Sequence, residues 1–363
     1  MALDAINPRD EAELADAIRS ANGPLAIQGA GTRGGQTNGS VLSTVALSGI
    51  SLYEPGAMTM VAGAGTPLAD IEHELASQGQ RLAFEPMDHR VLLGTTGAPT
   101  LGGVYATNTS GPRRIQAGAM RDFALGVRFV DGMGTVVKNG GRVMKNVTGY
   151  DLVKMLAGSR GALGVVTEVS LKVQPATETM ATVTVHVSDP TQGVAALSAA
   201  LGSPFDVSGA AFSNGQALVR VEGFAQSVAY RVEQLKIHLA TYGEISVSDD
   251  AALWSDIRDV RAFANGKGDV WKISVKPTDG PQVVAALPGD AMMDWGGGLV
   301  WAQVPAGTDV RRILADIAGH ATCVRGKGRG PALPPADATL AAITVGLKSK
   351  FDPRSILNPG VMV

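Results

Sequence analysis

A short strand-like run, residues 25–28, breaks into glycine at Gly29 and again at Gly31, Gly34 and Gly35. No other stretch limits the fold as much. A loop this poor in side chains can turn its N–H groups inward around an anion, because glycine reaches positive φ and close approach without a Cβ clash. Gly29, Gly31 and Gly34 also satisfy the G-x-G-x-x-G spacing of nucleotide-binding turns. That motif needs a helix directly behind it, its N-terminus set on the pyrophosphate. Residues 35–40 instead read Gly-Gln-Thr-Asn-Gly-Ser, and the next acidic residue, Glu54, sits in a Tyr-Glu-Pro-Gly turn. The loop thus reads as an anion cradle outside the doubly wound context, or as a plain turn between strands.

Two more glycine clusters follow. One holds Gly94, Gly97, Gly102, Gly103 and Gly111; the other holds Gly158, Gly161 and Gly164. Three bends of this kind in one half of a chain suggest loops shaped for backbone contact with a ligand. The balance of 31 basic and 33 acidic residues argues against nucleic acid or an anionic membrane as the dominant partner. A single cysteine, Cys323, excludes an internal disulfide, a self-contained iron–sulfur cluster and a cysteine-rich zinc site. The five histidines, His73, His89, His186, His238 and His320, are too dispersed to suggest a metal site, so none is expected. Residues 1–10 show neither a basic nor an apolar leader, and no apolar run approaches the ~20 residues that span a bilayer. A cytoplasmic, reducing setting fits, with any attachment to the inner membrane made through partners.

Periodicity supplies the elements. A first helix is expected with Asn7 as N-cap and Pro8 at its first position, burying Leu14, Ile18 and Ala21. Strands are expected at 25–28, 44–47, 51–53 and 59–62, then a helix capped by Thr66 with Leu68, Ile71 and Leu75 inward. A short helix is expected within 101–109, strands at 123–130 and 135–138, a helix near 150–156 and a strand at 165–173. Past Gln174 and Pro175 glycine thins. Val183, Val185 and Val187 alternate with polar residues, while Val228, Val232, Leu235 and Leu239 step at helical intervals. Strands near 217–221, 245–247, 270–275 and 299–304 then predict an antiparallel sheet with helices on one face. The fold class is α+β with two domains, residues 1–174 and 175–330, and a segment 331–363 that opens with a helix at 338–350.

The order of these clusters, with the closing Asp-Pro and Asn-Pro-Gly, resembles the FAD-binding family of vanillyl-alcohol oxidase and p-cresol methylhydroxylase (PCMH) type. The match is finer in Arg142-Val-Met-Lys-Asn-Val-Thr-Gly-Tyr-Asp151, in Ala157-Gly-Ser-Arg-Gly-Ala-Leu-Gly-Val-Val166 and in Phe351-Asp-Pro-Arg-Ser-Ile-Leu-Asn358. These resemble the FAD-binding E subunits of bacterial glycolate oxidases over essentially the whole chain. The resemblance implies a PCMH-type FAD-binding domain followed by a cap domain. It implies that the first bend, Gly29, Ala30, Gly31, Thr32, Arg33 and Gly34, holds the FAD diphosphate. Gly97, Gly102, Gly103, Asn108, Ser110 and Gly111 would line the isoalloxazine and ribityl chain. Gly161, Gly164, Val165 and Val166 would wall the adenine side, and Asn358 would approach the flavin edge. The first bend lacks the histidine, and the second the cysteine, that bond flavin covalently in some members, so the FAD is expected to be non-covalent. The histidine-rich metal run of catalytic 2-hydroxy acid relatives is missing as well.

The implied function is a flavin-carrying, electron-relaying subunit of a complex that oxidises glycolate to glyoxylate, beside a catalytic flavoprotein and an iron–sulfur subunit. Two other readings stand beside it: a free-standing FAD-dependent dehydrogenase of 2-hydroxy acids such as D-lactate, and a scaffold without flavin. His89 and His320 are the candidate bases, although a lone histidine is more often structural. Arg113 and Arg114 suit a substrate carboxylate, a loop-fixing ion pair or a partner contact. Lys145, Tyr150 and Asp151 are read as bracing the third bend, and Cys323 as a buried small hydrophobe. Trp254, Trp271, Trp295 and Trp301 are read as core, with Trp295 also placed to cap a ligand mouth.

Overall fold

The computed structural model describes residues 5–34, 38–143, 149–326 and 337–362. Its first half is built on a parallel pair of strands, Leu25–Gln28 with Ser40–Ser43, and a five-stranded antiparallel sheet. The sheet runs in the order Ile50–Glu54, Thr59–Gly63, Val165–Lys172, Ala124–Val130, Val136–Gly140. Helices Leu68–Ser77 and Leu101–Thr107 cover it, burying Ile71, Leu75, Val104 and Tyr105 against Met60, Phe129 and Val169. The Val165–Lys172 strand crosses the middle of the sheet, so the third glycine bend, which feeds it, is held at the centre.

The second half is an eight-stranded antiparallel sheet. Alternation splits its side chains. Trp271, Ile273, Val300 and Ala302 face helices Pro190–Leu201, Ala225–Leu239 and Gly280–Ala286. Val270, Leu299, Trp301 and Met292 face the other way, toward Met87 and Leu92 of the first half. Helix Ala252–Arg258 also lies on that second side, through Trp254 and Ile257, which corrects the expectation of helices on one face only.

Helix capping differs from expectation at two places. Asp10, not Asn7, caps the first helix, Glu11–Ser20, accepting the Glu13 N–H at 2.8 Å. Asn7 instead donates to Ala5 O, and Pro8 stays outside the helix. Thr66 does not cap Leu68–Ser77, whose N-cap is Pro67; its hydroxyl closes on the backbone of Gly49. The strand expected at 44–47 lies four residues earlier, at Ser40–Ser43, because the chain turns at Thr44, where Leu47 N donates back to Thr44 O. Strands Val207–Ser213 and Asp290–Asp294 carried no usable sequence signal, being rich in Ala, Gly, Ser and Met rather than β-branched residues.

The tail returns to the first half. Leu25 N donates to Ile356 O and Asn358 N to Leu25 O, so residues 356–358 run alongside the first strand. The terminal helix, Ala338–Phe351, is anchored by Lys348, whose buried ammonium reaches Asp352, Ala162 O and Leu357 O. Arg354 donates to Ile18 O, Arg19 O and Ala21 O at the end of the first helix, adding to the Ala21 N–H bond on Ile18 O. Arg354→Ala is expected to cost about 1.5–3 kcal/mol, the range for hydrogen bonds to charged groups. A melting curve measures it; an unchanged midpoint would show that these contacts contribute nothing. Among the described residues no helix is long and apolar enough to cross a membrane.

Candidate functional site

The three glycine bends meet around one cavity of about 910 Å³. From the first bend come Gly29, Ala30, Gly31, Thr32, Arg33 and Gly34; from the second, Gly102 and Gly103; from the third, Gly161, Gly164, Val165 and Val166. Asn358 and the residues to Val361 close one side. The volume lies near the top of the ~300–1,000 Å³ span of small-molecule sites and suits a dinucleotide-sized ligand better than a small metabolite.

Two glycines show why the bends need that residue. Gly31 sits at φ +69°, and a Cβ there would meet nothing nearer than 3.9 Å, so it would point into the open cavity. Gly97 does not line the cavity; a Cβ would fall 2.2 Å from Ala30 O, so the second bend rests backbone to backbone on the first. Asn358 ties the assembly together. Its Oδ1 accepts Ile27 N–H at 2.7 Å, and its Nδ2 donates to Arg160 O at 2.7 Å. One side chain therefore spans the first strand, the third bend and the tail.

Three other expected residues lie apart. Asn108 ends helix Leu101–Thr107 in a left-handed conformation, and its side chain accepts Arg121 N–H instead of facing the cavity. Ser110 and Gly111 line a separate space of about 20 Å³, with His89, Lys272, Asp294 and Trp301. Lys145 falls outside the described residues. Tyr150 is 88% exposed and Asp151 caps Leu152–Leu156, so neither braces the third bend. Cys323 is half-buried rather than buried.

Arg33 is the most informative side chain of the cavity wall. Its Nη1 donates to Thr109 Oγ1 at 3.1 Å and to His89 Nδ1 at 2.9 Å. Since a guanidinium only donates, Nδ1 accepts and the His89 proton sits on Nε2. Burial, with the charges of Arg33 and Lys272, pushes His89 down to about 3. It is a neutral acceptor, not a base poised near neutrality. Burial also lowers Arg33, to about 10, still charged at pH 7. Its Nε and Nη2 are buried with no hydrogen-bond partner among the described residues. A buried, half-satisfied cation is costly unless something completes it. Phosphate or carbonyl oxygens of a bound FAD would do so, and the glycine backbone leaves room for them.

Arg113 is not available to a substrate. Its guanidinium is 6% exposed and pairs with Glu222 at 2.6 Å and Glu85 at 3.0 Å. Arg220 meets Glu85 through two nitrogens at 2.9 Å each, and Arg81 joins Glu222 at 2.9 Å. This network joins loop 81–85 and Arg113 of the first half to strand Gln216–Gly223 of the second. Arg114 stacks on Trp295 at 4.5 Å, and His320 lies exposed at the edge of the sheet. Among the described residues no three His, Cys, Asp or Glu converge as a metal-binding group.

Arg160 and Lys272 escaped sequence reasoning, and Asp294 was read only as part of a segment that could cap a ligand mouth. Arg160 interrupts the third glycine cluster and takes φ +52°, an uncommon conformation outside glycine. Lys272 occupies the register of Trp301 and Thr322, on the sheet face turned to the first half. Asp294 is buried and accepts the Trp295 N–H at 2.7 Å; burial raises its carboxyl to about 7. A carboxyl that holds its proton more tightly folded than unfolded loses stability as pH rises from about 4 through 7. Asp294→Asn retains the Oδ1 acceptor, so its melting point is expected to gain on the parent's between pH 5 and pH 8. A constant gap would refute the shift.

Comparison with known proteins adds independent findings. A family described as FAD binding domain matches residues 4–140. Glycolate oxidase subunit GlcE of Escherichia coli (strain K12) is 34% identical over 344 residues, 93% of this chain and 92% of that protein. D-lactate dehydrogenase of Archaeoglobus fulgidus is 30% identical over 178 residues, 47% of this chain and 38% of the enzyme. Among solved structures, alkyldihydroxyacetonephosphate synthase superposes with a TM-score of 0.70 at 15% identity, over 98% of this chain and 76% of that one. That likeness speaks for the fold alone.

Proposed function

This chain belongs to the FAD-binding family of glycolate oxidase E subunits, and on that premise we propose that it carries the flavin of a glycolate-oxidising complex as an electron relay. Glycolate is oxidised to glyoxylate by that complex, and this subunit is an oxidoreductase component acting on CH–OH chemistry. The observation that supports the reading best is the glycine-walled cavity with the uncompleted Arg33 guanidinium at its edge.

Flavin suits a relay because its ring accepts and passes electrons singly or in pairs. The residues of this chain bind and orient it. In this reading the N–H groups of residues 29–34 and the Arg33 guanidinium take the diphosphate. Gly102 and Gly103 leave a path for the ribityl chain and ring, and Gly161 through Val166 cover the adenine side. Gly97 and Asn358 act at one remove, by fixing the bends on one another. Asn108 instead accepts from Arg121, and Ser110 and Gly111 face the neighbouring small space. The described lining has no histidine or cysteine, which supports non-covalent FAD. His89, its Nδ1 taken by Arg33 and its proton affinity lowered by burial, favours a relay over a dehydrogenase that draws a proton from its own substrate.

The partners in this reading are a catalytic flavoprotein and an iron–sulfur subunit, in a cytoplasmic complex that meets the inner membrane through them. Two measurements test it. Acid should release FAD from the purified yellow protein, whereas flavin that stays with the precipitate would mean a covalent link. The isolated chain should fail to oxidise glycolate or D-lactate with an artificial acceptor; turnover by this chain alone would overturn the relay.

A further inference from the structure

Arg33 is held at one end and open at the other. Its Nη1 donates to His89 Nδ1 at 2.9 Å and to Thr109 Oγ1 at 3.1 Å, with Met87 O 3.5 Å away. The threonine side of this seat has a fixed direction. Thr107 Oγ1 donates to Gly103 O at 2.7 Å, which uses its one proton. It therefore accepts from Thr109 Oγ1, 2.6 Å away, and Thr109 keeps a lone pair for Arg33. The histidine side is fixed as well. Burial, ahead of the charges of Arg33 and Lys272, keeps a second proton off His89, so Nδ1 stays an acceptor.

The loop that carries His89 belongs to the first half but is held by the second. Glu85 accepts from Arg220 through two nitrogens at 2.9 Å each, and Met87 packs in one cluster with Ile257 and Trp301. Asp88 N–H donates to Asp259 Oδ1 at 2.9 Å, and the Asp88 carboxylate pairs with Arg90 at 2.7 Å. The ring of His89 thus stands on a loop tied down at successive residues. The free edge of Arg33 lies on its other side. Nε and Nη2, without a partner among the described residues, form the edge of a guanidinium that grips two oxygens of one group. A Cβ on Gly103 would stand 3.3 Å from Nε, so a side chain there would crowd this edge. Gly103 and Arg33 both line the large cavity, whereas His89 and Thr109 do not.

We propose that His89 and Thr109 are positioning residues for the cofactor: by taking Nη1 they turn the Nε–Nη2 edge of Arg33 to the FAD diphosphate. The proposal rests on the reading of the cavity as the flavin site, and goes beyond it by naming what orients its buried cation. A guanidinium makes two parallel bonds to a phosphate only when its plane is set. An arginine free to turn loses that geometry and leaves a buried charge half-matched. His89 and Thr109 act through Arg33 and are not themselves ligands of the cofactor. Because Glu85, Met87 and Asp88 tie the loop to the second half, the packing of the two halves is felt at the diphosphate.

Titration of FAD, ADP and riboflavin into the deflavinated full chain tests this, with the melting temperature recorded for each variant. ADP carries the diphosphate without the ring, and riboflavin the ring without the diphosphate. His89→Leu should weaken FAD and ADP by roughly tenfold or more, the loss of a bond to a charged group, and leave riboflavin unchanged. Thr109→Val should act in the same direction, and it carries the test if His89→Leu does not fold. His89→Asn, whose Oδ1 takes the place of Nδ1, should bind close to the parent. In an Arg33→Met background, His89→Leu should cost no further affinity. The proposal is overturned if His89→Leu and Thr109→Val bind FAD and ADP as the parent does, or if the loss in His89→Leu persists without Arg33. Weaker riboflavin binding with ADP untouched also overturns it, since the edge would then meet the ring. A parent that binds none of the three sinks the cofactor reading itself, an outcome distinct from variants that match a parent loaded with FAD.

Discussion

Gly31→Val yields a purified chain that has lost at least nine-tenths of its flavin, while its melting temperature falls by only a few degrees. The two effects separate because of where the new side chain goes. Nothing in the protein stands within 3.9 Å of a Cβ at this position, so the fold meets no clash, only the strain of a β-branched residue at φ +69°. That strain is of order 1–3 kcal/mol. The isopropyl group instead fills the cavity beside the N–H groups assigned to the diphosphate. Gly31→Asn sharpens the test, since asparagine tolerates the left-handed region and blocks the same space. Normal flavin content in both variants would remove the first bend from the cofactor site.

Glu222→Ala should be the most damaging single change to stability. Glu222 accepts from Arg113 through two nitrogens, at 2.6 and 2.9 Å, and from Arg81 at 2.9 Å, with its side chain 7% exposed. Removing it leaves Arg81, Arg113 and Arg220 around the one carboxylate of Glu85. Orphaning buried charges in this way costs roughly 3–5 kcal/mol. At about 2–4 °C per kcal/mol for a chain of two ordinary domains, the midpoint falls by about 10 °C. Acid should reproduce the loss. Burial pushes the Glu222 and Glu85 carboxyls up, but the bonds and charges of Arg113 and Arg220 override it and hold both below the usual range. Their contribution is complete above the ordinary glutamate value of about 4.3 and drains as pH falls below it. A variant whose melting curve matches the parent's at pH 7 and whose gap fails to close toward pH 3 would refute this account.

Much of the first half was legible because its signals are local. The first strand, Leu25–Gln28, ends where glycine begins, and Leu68, Ile71 and Leu75 step at helical intervals, so neither needed the tertiary structure. The bends were readable for the same reason. Lys272 was not. Lys272 and Ser274 alternate with Trp271 and Ile273, the pattern of a strand with one wet face, and only the packing of the halves turns that face inward. Arg113 misled in the opposite sense, since its pairs with Glu85 and Glu222 join residues 28 and 109 positions apart. Glu85 and Glu222 carry no motif. Their meaning appears only once the two halves are in contact.

The clasp made by Asn358 has a bearing on how the protein is born. The first bend leaves the ribosome more than three hundred residues before the side chain that bonds Ile27 N–H and reaches across to Arg160 O. A nascent chain can form its early sheets, yet the cavity stays unlatched until the tail docks. Cofactor loading is thereby deferred to the finished polypeptide, and a chain halted in the terminal helix would keep most of its fold while lacking a closed place for flavin.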